Sequence, residues 1–261
     1  MWWVDIEGER IHRSGLAPRS DTVYEMGEQI GSVIPRSGGG FVAGMTDGVA
    51  LFGADGREEL RISIEAEDAL ARMNDAKCDP AGRLFTGTMT HDHRRSALYR
   101  VDSDHSVSTM LTGIGISNGL GWNLAATKMY YIDTPTMRVD VFDYDRDTGD
   151  LGNRRSLIEV DETRGFPDGM TVDAEGCLWV AFWGGGCVRR FGADGQLIRT
   201  VQLPATQITS CAFGGPDLDR LFVTSATSGL SMQERADQPL AGGLFEIDPG
   251  CRGLASTPFA G

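Results

Sequence analysis

An all-β chain folded as a six-bladed β-propeller is predicted by three features of the sequence. No long helical periodicity occurs, short apolar runs are set off by turn residues, and those runs recur at a spacing in the forties. The runs are FVAGM at 41–45, LFTGTM at 84–89, MYYIDT at 129–134, LWVAF at 178–182 and LFVTSA at 221–226. A repeat of that length holds several strands, the content of one propeller blade, and is too long for the turns of a β-sandwich. With MWWVDI at the start counted as the first run, six units fill residues 1–261, read as a single domain.

Each element follows in order. The first run begins at Met1 with no polar lead-in. In later units the apolar run starts about ten residues after an inner, polar-marked segment: RMND at 72–75, ISNG at 116–119 and FPDG at 166–169. The first unit shows no such segment, so the first blade is expected to be incomplete at the N-terminus. DPAGR (79–83), DAEGC (173–177) and GPDLDR (215–220) are turn signals that lead directly into strands. A further strand follows each run, in ALYRVD (97–102), VDVFDYD (139–145), CVRRFGADG (187–195) and GLFEIDPG (243–250). VALFGADG (49–56) matches VRRFGADG (188–195) closely enough to be internal repetition.

The charge narrows the function. With 37 acidic and 24 basic side chains the net charge is −13, which argues against nucleic acid and anionic membranes as partners. No apolar run approaches a membrane span, and no basic segment leads into an apolar stretch as a signal peptide would. The five cysteines are scattered and form no C-x-x-C, so neither a disulfide framework nor a zinc-site spacing is present. A reducing, cytoplasmic location fits that usage. The oligomeric state is left open.

Aligned across units, the inner positions are Gly31, Asn74, Asn118, Asp168 and the Thr209–Ser210 pair. Short oxygen-bearing side chains converging from separate blades suit a hard divalent cation. Taken alone, Asn-Gly and Asp-Gly are turn dipeptides; their equivalent place in successive units is what marks them as a site. Other candidates read more plainly. His91-Asp92-His93 falls in a polar loop and reads as a solvated turn or a pocket rim. No G-x-S-x-G elbow supports a serine hydrolase. Gly184-Gly185-Gly186 lacks the following Lys and helix of a phosphate loop and reads as a strand connection. Trp179 and Trp183 read as core residues of a strand.

NDAKCDPAGRLFTGTM, ISNGLGWN, FPDGMTVDAEGCLWVAFWGGGCVRRF and TSCAFGGPDLDRLFVTSA resemble the regucalcin-like, senescence-marker-protein/gluconolactonase family of six-bladed propellers, from residue 1 to the closing FAG. The resemblance implies a metal-dependent hydrolase that opens a small sugar (aldono)lactone. By that resemblance Asn118 and Asp168 would be metal ligands, Arg72 and Asn74 would hold substrate hydroxyls, and Asp168 would be the catalytic base that activates water. The implied cofactor is one divalent ion, calcium first, with zinc, manganese and iron as the other candidates. Family members carry a further ligand, a Glu on the first blade's inner strand, which here would precede Met1, and a strand that closes the last blade. Glu7, Glu9, Glu25 and Glu28 are poor substitutes by position. The alternative is therefore a catalytically silent propeller that binds a sugar or a protein partner.

Overall fold

The computed structural model describes residues 1–16, 19–90 and 95–261, and the His91–His93 loop lies outside them. Six antiparallel sheets follow one another along the chain, the blades of a six-bladed β-propeller. The first has three strands, β1 (Trp2–Asp5), β2 (Arg10–Leu16) and β3 (Arg19–Glu25). The second comprises β4 (Ser32–Pro35), β5 (Phe41–Gly44), β6 (Gly48–Phe52) and β7 (Glu58–Ser63). The third comprises β8 (Ala71–Cys78), β9 (Leu84–Thr90), β10 (Ser96–Val101) and β11 (Val107–Ile114). The fourth holds β12 (Ser117–Trp122), β13 (Lys128–Asp133), β14 (Arg138–Tyr144) and β15 (Leu151–Glu159). The fifth holds β16 (Phe166–Val172), β17 (Leu178–Trp183), β18 (Cys187–Phe191) and β19 (Leu197–Gln202). The sixth again has three, β20 (Ile208–Gly214), β21 (Arg220–Ser225) and β22 (Leu244–Ile247). Every apolar run read from the sequence is a strand, and the three-stranded first blade matches the expected incomplete one.

The chain groups into two compact units, residues 1–118 with 145–150 and 256–261, and residues 119–144 with 151–255. In the second unit, β17 explains why its sequence is apolar without alternation. Leu178, Val180 and Phe182 point to one side and pack with Ile132, Val139 and Met170 of the fourth and fifth sheets. Trp179 and Ala181 point to the other and pack with Ile208, Leu221 and Val223 of the sixth. A strand buried on both faces must be apolar throughout. The first unit is built alike, with Val42, Leu51, Met73 and Leu84 in one cluster and Ile11, Phe41 and Ala43 in another. Phe259 enters the former, fully buried, and its N–H donates to Pro35 O at 2.9 Å.

The turns between first and second strands are stapled by buried aspartates. Asp79 accepts Ala81 N at 2.9 Å, Arg83 N at 3.0 Å and Arg83 Nε at 2.6 Å. Asp173 accepts Glu175 N and Cys177 N, each at 2.9 Å, together with Trp179 Nε1 at 3.0 Å and Arg190 Nε at 2.8 Å. Gly82 and Gly176 close these turns at φ of +84° and +81°, where a Cβ is strained. The sequence offered no sign of α1 (Met232–Asp237), set between β21 and β22. Six residues are too few for a periodicity to show, and the helix rests on a capping box between Ser231 and Glu234. Among the described residues no helix is long and apolar enough to cross a membrane, and all five cysteines are free thiols.

Candidate functional site

The first strands of the sheets carry the inner positions, and two of them break register where the sequence marks polar residues. Along β8 the pairing with β9 passes from Met73↔Thr88 to Ala76↔Thr86, so Asn74 and Asp75 together oppose one residue, Gly87. Along β16 it passes from Pro167↔Phe182 to Met170↔Val180, so Asp168 and Gly169 oppose Ala181. These are β-bulges, which re-aim side chains and concentrate beside active sites. The Asp-Gly pair of FPDG and the Asn-Gly pair of ISNG thus lie within strands β16 and β12 and are not turns.

The glycines have a separate reason. A Cβ on Gly31 would strike Met73 O, one on Gly119 would stand 2.7 Å from Asp168 O, and one on Gly169 would collide with the Ser210 side chain. At these three places the chain runs too close to its neighbour for a Cβ, which only glycine permits.

In the first unit, three of the predicted site residues meet. Arg72 Nη1 donates to Asn74 Oδ1 and to Met73 O, each at 2.9 Å. Asn74 Nδ2 donates to Ser117 O at 2.8 Å and to Asn118 Oδ1 at 3.0 Å. Both amides are buried, at 9% and 7% exposure. The guanidinium polarises the Asn74 carboxamide and so strengthens its two donated bonds. Asp75, beside Asn74, is half-buried, and Ala76 N donates to its Oδ1 at 2.8 Å. Burial pushes the Asp75 carboxyl above its usual range, while the Lys77 ammonium and the Ala76 N–H oppose the shift. Sequence reading passed over Asp75, although it stands in the quoted RMND.

Asp168 belongs to the second unit, where it is half-buried on a firmly held backbone. Thr134 Oγ1 donates to Pro167 O at 2.7 Å, and Gly119 packs against Asp168 O.

The glutamates fall as their positions suggested. Glu28 is fastened: its carboxylate accepts Thr46 N at 3.1 Å, the Thr46 hydroxyl, and Arg61 Nη1 at 2.8 Å. Burial pushes that carboxyl up, but the Thr46 and Arg61 donors outweigh it and hold it below the usual range. Glu25 pairs with Arg10 at 3.0 Å, and Glu7 and Glu9 are exposed in the turn after β1. Trp179 is fully buried, as expected of a core residue, while Trp183 is half-buried.

Among the described residues no three His, Cys, Asp or Glu side chains gather into a ligand group. In the first unit the Asn118 carboxamide oxygen, and in the second the Asp168 carboxylate, are each hard oxygen donors of the kind an oxygen-seeking divalent cation takes, and the Asn74 bond fixes the orientation of the Asn118 amide.

The sequence profile of the SMP-30/gluconolactonase/LRE-like region matches residues 1–227. Regucalcin from Gallus gallus is 40% identical over 99% of this chain and 90% of its own length. The putative sugar lactone lactonase YvrE of Bacillus subtilis is 36% identical over 100% of this chain and 91% of its own. The crystal structure of a calcium-binding protein, regucalcin, from Agrobacterium tumefaciens superposes with a TM-score of 0.94 at 30% identity, covering 99% of this chain and 88% of that one. By profile, by identity over the whole chain and by fold, the chain belongs to the SMP-30/gluconolactonase/LRE-like family.

Proposed function

We propose that the protein is a lactonase that opens a small sugar (aldono)lactone with the help of one divalent cation. The observation that carries this reading is the buried relay Arg72→Asn74→Asn118, a set of oriented polar groups that the packing of the sheets does not require. Burying two carboxamides costs free energy unless each is fully bonded, so their retention on first strands argues for use. The naming of a Bacillus relative as a putative sugar lactone lactonase points to the same chemistry.

Ester hydrolysis in a ring needs a polarised carbonyl, a water that gives up a proton, and charge to meet the oxyanion. A divalent cation held by Asn118 Oδ1 and Asp168 would supply Lewis acidity for the first and last of these. Asp168, which lies in the bulge of β16, takes the proton from water. The Arg72 guanidinium, directed at Met73 O and Asn74 Oδ1, is the group that meets ring hydroxyls. Asn74 is the positioning residue for Asn118. Calcium suits hard oxygen donors first; zinc, manganese and iron are the alternatives to be compared.

The second reading is a propeller that binds a sugar or protein without turnover. Acid release from D-glucono-1,5-lactone separates the two. The lactonase reading expects a rate above spontaneous opening that falls by about 10²-fold or more in Asp168→Asn. Equal rates in both folded proteins would leave only binding.

A further inference from the structure

Among the described residues all but one of the Phe, Tyr and Trp side chains are buried or half-buried; the exception is Phe166, at 43% exposure. It is the first residue of β16, two positions ahead of Asp168, and its register partner across the ladder is the half-buried Trp183. Residues directly opposite in an antiparallel pair stand on the same face of the sheet, so the two rings are neighbours there. An exposed aromatic on a loose loop would mean little. This one is fixed.

Its backbone is held on both sides. Before it, Gly165 at φ +87° lies so close to Gly185 that a Cβ would stand 2.6 Å from the Gly185 N and Cα. Arg189 Nη2 donates to Arg164 O at 2.9 Å, while the same guanidinium lies 4.0 Å over the Phe182 ring. After it, Pro167 O is tied to Thr134 Oγ1 at 2.7 Å. A rigid, solvent-facing ring loses little conformational freedom when it is covered, which is the physical profile of a binding anchor.

We infer that Phe166, backed by Trp183, packs against the carbon-bound face of the lactone ring presented to Asp168 and sets the affinity for the closed ring. This rests on the lactonase reading and adds a specificity residue to it. A closed ring offers a flat C–H face to an aromatic wall; the open-chain acid released by hydrolysis offers none. The same contact therefore favours substrate over product.

The test is steady-state kinetics of wild type, Phe166→Ala and Phe166→Trp on D-glucono-1,5-lactone, with gluconate as a product inhibitor and Asp168→Asn as the blank. Thermal unfolding of each variant verifies the fold. The inference expects KM to rise about five- to tenfold in Phe166→Ala, with kcat within about twofold, the gluconate inhibition constant nearly unchanged, and recovery in Phe166→Trp. An unchanged KM in Phe166→Ala, or a fall in kcat alone, overturns the inference while leaving the lactonase reading in place, provided Asp168→Asn has lost its rate. Loss of affinity for ring and product alike overturns the claimed selectivity. A wild-type rate no higher than Asp168→Asn overturns both.

Discussion

Replacing Asn74 by alanine tests the relay at its centre. The substitution removes two donated bonds, to Ser117 O and Asn118 Oδ1, and one accepted from Arg72. Ser117 is fully buried and Asn118 nearly so, which keeps water from replacing what is lost. Each lost bond is worth about 1 kcal/mol net, and a stranded buried acceptor adds about 1–3 kcal/mol. Together these give a loss of about 4–6 kcal/mol. At roughly 2–4 °C per kcal/mol for a chain of this size, the melting temperature falls by about 8–24 °C. Differential scanning calorimetry reads the shift directly. A double-mutant cycle with Asn118→Ala then isolates the pair, with an expected coupling of about 1 kcal/mol. A drop below about 2 °C together with strict additivity would falsify the reasoning, because the amides would then be independent.

Further outcomes follow from the charged and sulfur-bearing groups. The Asp75 carboxyl has a folded value above its unfolded one, so the folded state binds more protons above the unfolded value and stability falls as pH rises through that window. Asp75→Asn should therefore raise the melting temperature at pH 7 by about 2 °C or more and give a smaller gain at pH 4; equal gains at both would remove the electrostatic cause. For Asp173 burial pushes upward, yet the Cys177 N–H, Arg190 and Trp179 donors hold the carboxyl below its usual range. Its contribution is complete above the unfolded value and is lost as pH falls through the folded one, so Asp173→Asn should destabilise at pH 7 and flatten the acid limb of the stability profile. A pH-independent loss would contradict that sign. Burial first, then Asp173, raises the Cys251 thiol to about 11, and Cys78, Cys177 and Cys187 are raised mainly by burial. A disulfide reagent at pH 8 should label the native protein roughly 100-fold more slowly than a free thiol and find five thiols after denaturation. One fast native thiol would show that a cysteine environment is wrong.

The fold was legible because burial on both faces makes the runs in β5, β9, β13, β17 and β21 largely apolar, and a strand of that kind leaves its mark in sequence. The outer strands left less: β3 and β19 are largely exposed, so no burial pattern marks them. α1 was hidden by its length. At the site, the common position of Asn74, Asn118 and Asp168 was visible as a repeat. That the Asn-Gly and Asp-Gly pairs lie in strands and not in turns was not, because the dipeptides favour both and only the ladder register decides. The hydrogen bond from Asn74 to Asn118 joins residues 44 positions apart, and no local pattern encodes it. Phe166 was in plain view in FPDG, yet its meaning depends on exposure, which hydrophobicity alone predicts in the wrong direction.

The most direct measurement is acid release from glucono- and xylonolactone after chelation, with calcium, zinc, manganese and iron restored one at a time beside an Asp168→Ala control. The account predicts a rate that disappears on chelation, returns with at least one ion, and is absent from the control with every ion. A folded wild-type protein that never exceeds the control, whichever ion is supplied, would contradict it.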